Sequence, residues 1–123
     1  MDNNNEDISL VNKIKNYIDA NYDDKMISLE SIADSLNFSM GYLSRIFKKR
    51  TGITIAEHIH NLRIQKACHL LSNTNIPVKD IISKIGYNDH SNFTRSFKLQ
   101  TGFTPSEYRN IKKLSIIIQD NDA

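Results

Sequence analysis

The sequence predicts an all-α fold: a seven-helix domain of two helix-turn-helix subdomains joined by one long linker helix. Three observations carry this reading. The stretch from Ile32 to Ile59 recurs from Ile81 to Arg109, apolar residues return every three or four positions along most of the chain, and a Thr-x-x-Glu capping signal stands at the same point of both copies. Aligning Ile32 with Ile81, Leu36 with Ile85 and Phe38 with Tyr87 gives an offset of 49 residues, which one inserted residue in the next turn makes 50. Leu43, Arg45, Phe47, Lys48, Thr51, Gly52, Thr54 and Glu57 then fall on Phe93, Arg95, Phe97, Lys98, Thr101, Gly102, Thr104 and Glu107. A solenoid needs about three copies to bury its faces, so a duplicated small module is the better reading.

Taken in order, residues 1–7 (MDNNNED) offer nothing apolar after Met1 and read as a disordered lead-in. Ile8, Val11, Ile14, Tyr17, Ile18 and Tyr22 then mark an amphipathic helix ending near Asn21, before the turn-like Asp23-Asp24. Ser28 can cap a short helix with Leu29, Ile32, Ala33 and Leu36 on one face, and Asn37 tolerates the left-handed conformation that ends it. Ser39 can cap a third helix in which Leu43, Ile46 and Phe47 face inward, Gly41, Ser44, Arg45 and Lys48 face outward, and Gly52 stops the run. Those two helices and the turn between them complete a first unit over residues 8–53.

Thr54-Ile-Ala-Glu57 has the spacing of a capping box, and Ile55, Ile59, Leu62, Ala67, Leu70 and Leu71 carry the helix it starts to the breaker run Asn73 to Pro77. The linker is thus residues 54–73, about 30 Å of helix. That length is close to the roughly 34 Å between successive major-groove turns on one face of B-DNA, so one monomer is expected to place both recognition helices in adjacent grooves. In the second unit, residues 76–113, Val78, Ile81, Ile82 and Ile85 rebuild the short helix and Gly86 takes the place of Asn37. A longer turn through Asn88 and Asp89 leads into a helix from His90 to Thr101, stopped by Gly102. Thr104-Pro105-Ser106-Glu107 is a second capping box with proline at the first helical position; its helix is expected to fade after Lys113 and leave residues 114–123 as a tail.

Charge is unevenly spread along the 123 residues. Residues 1–38 hold 3 basic and 8 acidic side chains, net −5; residues 39–113 hold 13 and 4, net +9; residues 114–123 hold none and 2, net −2. Positive charge therefore concentrates in the part of the chain that contains the linker and both outward-facing helices, a footprint suited to a polyanion such as DNA and also to a solvated lysine-rich surface. The longest apolar run, Ile116 to Ile118, is far short of a membrane span, and no signal segment opens the chain, so a cytoplasmic protein without a membrane partner is expected. The single cysteine, Cys68, lies beside Ala67, Leu70 and Leu71 and reads as a buried, inert thiol.

Catalysis and metal chemistry find no support. His58 and His60 are two residues apart, on different helix faces, and read as surface residues rather than ligands. No glycine-rich phosphate loop or apolar carboxylate pair is present, so neither an enzyme nor a cofactor is expected. The repeated outward face is different. Each copy sets an arginine (Arg45, Arg95) beside a small hydroxyl (Ser44, Thr94), with a lysine (Lys48, Lys98) after it. Arginine pairs bidentately with guanine edges, and the first turns of a recognition helix are the part that reaches bases.

The pattern IxxIGYxDxSNFTRSFKxxTGxTPxEYR over Ile82 to Arg109 resembles the signature of the AraC/XylS family of bacterial transcription regulators. The likeness extends to Arg63, Ala67, Leu70, Leu71 and the first unit, so it covers about residues 8–111. It implies a DNA-binding domain of two homeodomain-like repeats that binds double-stranded promoter DNA as an activator or, less often, a repressor. Carried over by position, base contacts are expected from Met40, Gly41, Tyr42, Ser44 and Arg45, and from His90, Ser91, Asn92, Thr94 and Arg95. Ser39, Lys48, Lys49, Arg50 and Lys98 are expected on phosphates. RNA polymerase is an expected partner; the chain itself is expected to be a monomer, with any dimerisation left to a further domain. Two departures stand out: Gly41 has no side chain where the family usually places a groove-reaching one, and Ile82 replaces its usual alanine. The class-distinct alternative is a helical interaction module with a basic face for an acidic partner. The chain is readable either as a stand-alone regulator or as the DNA-binding part of a larger one.

Overall fold

The computed structural model describes residues 4–121, and in them the chain forms seven α-helices: α1 (Asn4–Asn21), α2 (Leu29–Leu36), α3 (Met40–Thr51), α4 (Ile55–Asn73), α5 (Val78–Lys84), α6 (His90–Thr101) and α7 (Pro105–Asn121). The chain divides into two units between Leu62 and Arg63, inside α4.

The first unit builds its core from the inward stripes of α1 to α3 and the start of α4: Leu10, Val11, Ile14, Ile18, Ile32, Ala33, Leu43, Ile46, Phe47, Ile55 and Ile59. Local chemistry starts and stops each helix. Ser28 and Ser31 exchange side-chain to backbone bonds at the head of α2. Asn37 turns left-handed at φ 62°, and the backbone N–H of Phe38 bonds the carbonyl of Ala33. An asparagine at that position spends little strain, because its short polar side chain tolerates the conformation.

In the second unit Ile64, Ala67 and Leu71 of α4 join Ile81, Ile82, Ile85, Phe93 and Phe97 in a separate core. Ile82, the residue standing in for alanine, is 2 % exposed and fully part of that core. Gly86 takes φ 105° where Asn37 took 62°. The second capping box closes reciprocally: the backbone N–H of Thr104 donates to Glu107 Oε1 (2.9 Å) and the N–H of Glu107 donates to Thr104 Oγ1 (3.2 Å). In the first box only the half from the Glu57 N–H to Thr54 Oγ1 has this form, the threonine hydroxyl itself donating to Glu57 Oε1. Arg109 ties α7 back to the end of α4 through Nε to the Leu71 carbonyl (3.2 Å).

Two boundaries differ from the sequence expectation. Helix α1 begins at Asn4 rather than Ile8, so residues 4–7 are not a disordered lead-in. Its first turn gains an anchor that composition does not show, because Asp7 is buried against Arg50 of α3. At the other end α7 does not fade after Lys113 but runs to Asn121. Leu114 to Gln119 contain neither glycine nor proline, so nothing in the sequence stops the helix there.

Candidate nucleic-acid interface

Helices α3 and α6 are positioned by the same device. Leu43, Ile46 and Phe47 are buried under α3, and Phe93 and Phe97 under α6, which turns the opposite stripes to solvent at 100° per residue. On α3 that stripe is Met40, Gly41, Ser44, Arg45, Lys48 and Lys49, all exposed. On α6 it is His90, Ser91, Asn92, Arg95 and Lys98, with Thr94 half-buried at its edge. The structure thus brings together, on each helix, the residues that the sequence pattern had put on one face.

Both helices are held at their ends. Ser39 Oγ accepts the Tyr42 N–H (3.2 Å) at the start of α3, and Asp89 Oδ1 accepts the Asn92 N–H (3.0 Å) at the start of α6. Gly52 and Gly102 stop them at φ 82° and 86°, a conformation that costs a side-chain-bearing residue free energy. Thr51 and Thr101 lock those turns identically: each hydroxyl donates to the carbonyl four residues back (2.7 and 2.8 Å) and also meets the residue two ahead, Ile53 or Phe103. A recognition helix fixed at both ends presents its side chains with little ordering left to do on binding.

The two faces differ in chemistry. On α3 the Tyr42 ring stacks on Phe38 (centroids 5.6 Å apart, planes 21° apart), and the Arg45 guanidinium lies 5.4 Å from the Tyr42 centroid. Phe38 and Met40 remain 41 % and 47 % exposed on either side of the Ser39 cap. On α6 the corresponding positions are polar, and His90 Nε2 lies 3.3 Å from Ser83 Oγ of α5. Tyr87, the counterpart of Phe38, is tied down between Phe93 (5.0 Å) and the Arg63 guanidinium (4.9 Å). Burial of that phenol raises the Tyr87 pKa, with Arg63 acting in the opposite sense.

Four residues do not sit where sequence reasoning put them. Arg50 was expected on a phosphate, but its Nη2 and Nε reach Asp7 Oδ2 at 2.8 and 3.1 Å and it also bonds Asn4, so it is an internal clasp rather than an outward cation. Its sequence context, Lys48-Lys49-Arg50, conceals this because the partner lies 43 residues away. His58 and His60 are not surface residues: both are half-buried, His58 edge-on to Phe47 at 5.5 Å. Cys68 is half-buried rather than buried, and the Tyr108 pKa is raised by burial and by the nearby Cys68 thiol. The residues sequence reasoning missed are Asp7 and Phe38. The i to i+4 spacing of Phe38 and Tyr42 was the available signal for the second; nothing local signalled the first.

Among the described residues no three of His, Cys, Asp and Glu converge to hold a metal ion, and no helix is long and apolar enough to cross a membrane. What the geometry defines is a pair of helix-turn-helix units, each presenting an arginine-bearing helix face. Comparison with known proteins carries this to a family. A family profile described as a helix-turn-helix domain matches residues 32–111. The helix-turn-helix-type transcriptional regulator YtdP of Bacillus subtilis is 41% identical over 71% of this chain, which spans 11% of it. AdaA of the same organism, a bifunctional transcriptional activator and DNA repair enzyme, is 37% identical over 88% of this chain, which spans 51% of it. The C-terminal domain of AraT, a response regulator from Geobacillus stearothermophilus, superposes with a TM-score of 0.80 at 33% identity, covering 83% of this chain and 84% of that one. The chain belongs to the AraC/XylS family, and it is the helix-turn-helix part of that family that it matches. It spans about half or less of the two curated relatives, and the part it shares with AdaA is the helix-turn-helix part.

Proposed function

We propose that this chain is the promoter-reading part of a bacterial transcription regulator, with α3 and α6 each entering the major groove of a different half-site. The observation that supports this best is the matched placement of Arg45 and Arg95 on exposed stripes of two helices that are each capped by a side chain (Ser39, Asp89), stopped by a left-handed glycine (Gly52, Gly102) and anchored on a buried phenylalanine (Phe47, Phe97). Met40, Gly41, Tyr42, Ser44 and Arg45 face the bases of one half-site, and His90, Ser91, Asn92, Thr94 and Arg95 those of the other. Ser39, Lys48, Lys49 and Lys98 meet phosphates; Arg50, held by Asp7, contributes to the fold instead. Because the reading residues differ between the units, the site is asymmetric rather than palindromic. The chain acts without catalysis, as a monomer in the cytoplasm, and works as an activator by contacting RNA polymerase.

The test is selection of binding sites from a random duplex library, followed by gel shifts at two salt concentrations. A sequence-specific groove reader yields one enriched asymmetric motif and a steep loss of affinity with salt, since counterions are released from each phosphate contacted. A helical interaction module with a basic face for an acidic protein would enrich no motif, and that result overturns the proposal.

A further inference from the structure

The first residue of α6 has a partner outside its own helix. His90 is exposed on the outward stripe, and its Nε2 stands 3.3 Å from the hydroxyl oxygen of Ser83 in the last turn of α5. Both ends of that contact are held by their surroundings. Ile81 and Ile82 bury α5 in the core that also takes Phe93 of α6, and the Ser83 carbonyl accepts the Gly86 N–H (3.2 Å). Beside His90, Asp89 Oδ1 is engaged by the Asn92 N–H (3.0 Å). A serine side chain is short, so ordering it costs little entropy.

The repeat makes this contact specific to the second unit. Under the offsets of 49 and 50 residues the counterparts of Ser83 and His90 are Asp34 and Met40, a carboxylate and a thioether. Neither can donate, so the first unit cannot build the same bond. The hydrogen bond made by one imidazole nitrogen sets the role of the other. With Nε2 turned to Ser83, Nδ1 is the ring nitrogen left for a base edge, and the hydroxyl, able to donate or accept, suits either tautomer. We infer that Ser83, on α5 rather than on the reading helix, is a positioning residue for base reading: it holds the His90 imidazole in one orientation at the start of α6, so that the ring meets the groove already ordered. This rests on the reading of α6 as a recognition helix.

The experiment is a double-mutant cycle on the duplex selected from the random library, with an unrelated duplex as reference. Alanine forms helix better than serine, so Ser83→Ala is expected to melt no lower than the unaltered chain. It is nevertheless expected to bind the selected duplex about fivefold more weakly, the factor for one hydrogen bond, and the unrelated duplex equally well. His90→Ala is expected to lose at least as much on the selected duplex, and adding Ser83→Ala to it is expected to cost nothing further. Ser83→Thr keeps the hydroxyl and is expected to bind as the unaltered chain does. If Ser83→Ala binds the selected duplex as tightly as the unaltered chain, if the losses from the two alanines multiply, or if Ser83→Thr is as weak as Ser83→Ala, the inference is overturned while DNA binding stands. Equal weakening on both duplexes also overturns it, since that marks Ser83 as a contact indifferent to sequence. Failure of the library to enrich any motif instead removes the reading on which it rests.

Discussion

Arg50 and Asp7 are joined by two charge-assisted hydrogen bonds, Nη2 at 2.8 Å and Nε at 3.1 Å to the same carboxylate oxygen, across 43 residues of chain. The pair fastens the first turn of α1 to the last turn of α3. With only 8 % of the Asp7 side chain exposed against 25 % of Arg50, removal of the carboxylate leaves a guanidinium in a partly dry site.

Asp7→Ala is therefore expected to destabilise the first unit by about 1–3 kcal/mol, the range for leaving a buried donor without its partner. Urea denaturation followed by circular dichroism measures it, and a change below a few tenths of a kcal/mol would show that the clasp is ornamental.

The same clasp separates Arg50 from its neighbours in sequence. Lys48→Ala, Lys49→Ala and Lys98→Ala are each expected to weaken binding to all duplexes alike and to lower the salt slope by about one. Arg50→Ala is expected to lower stability while leaving the slope nearly unchanged. A drop of one in the slope for Arg50→Ala, read from gel shifts at several salt concentrations, would return it to the phosphate-binding set.

Arg95→Ala is expected to cost about 1–3 kcal/mol on the selected site and to relax base preference at one position. Arg45→Ala should do the same in the other half-site. Comparison of binding-site libraries for the folded variants checks both, and an unchanged motif would remove the arginines from base reading.

His58 makes stability depend on pH. Burial beside Phe47 disfavours the imidazolium, Lys15 adds repulsion, and Asp19 pulls the other way, so the pKa lies below the ordinary 6.5. The unfolded chain then binds the proton more readily than the folded one, and stability present above about pH 6.5 is lost as pH falls through the folded value. The measurement is the His58 C2-proton titration by NMR, expected to have its midpoint below 6.5, together with urea midpoints at several pH values. In His58→Phe that part of the pH dependence should vanish.

Much of this architecture is legible because its determinants are local. Ser39, Thr104-Glu107, Gly52 and Gly102 act on backbone groups within a few residues, so a cap or stop read from spacing is also a cap or stop in space. The inward stripes under α3 and α6 follow from periodicity for the same reason. The Asp7–Arg50 clasp was illegible because two ionic side chains 43 residues apart carry no mark of each other, and its absence from the reading misplaced both the start of α1 and the task of Arg50. His58 was misjudged because spacing tested it only as a metal ligand, not as a neighbour of Phe47.

Each recognition helix ends in a Thr-Gly pair whose threonine fastens the helix behind it and the turn ahead within six residues. Each stop is thus set by residues next to it in sequence, so changes on the outward face of either helix leave its end standing.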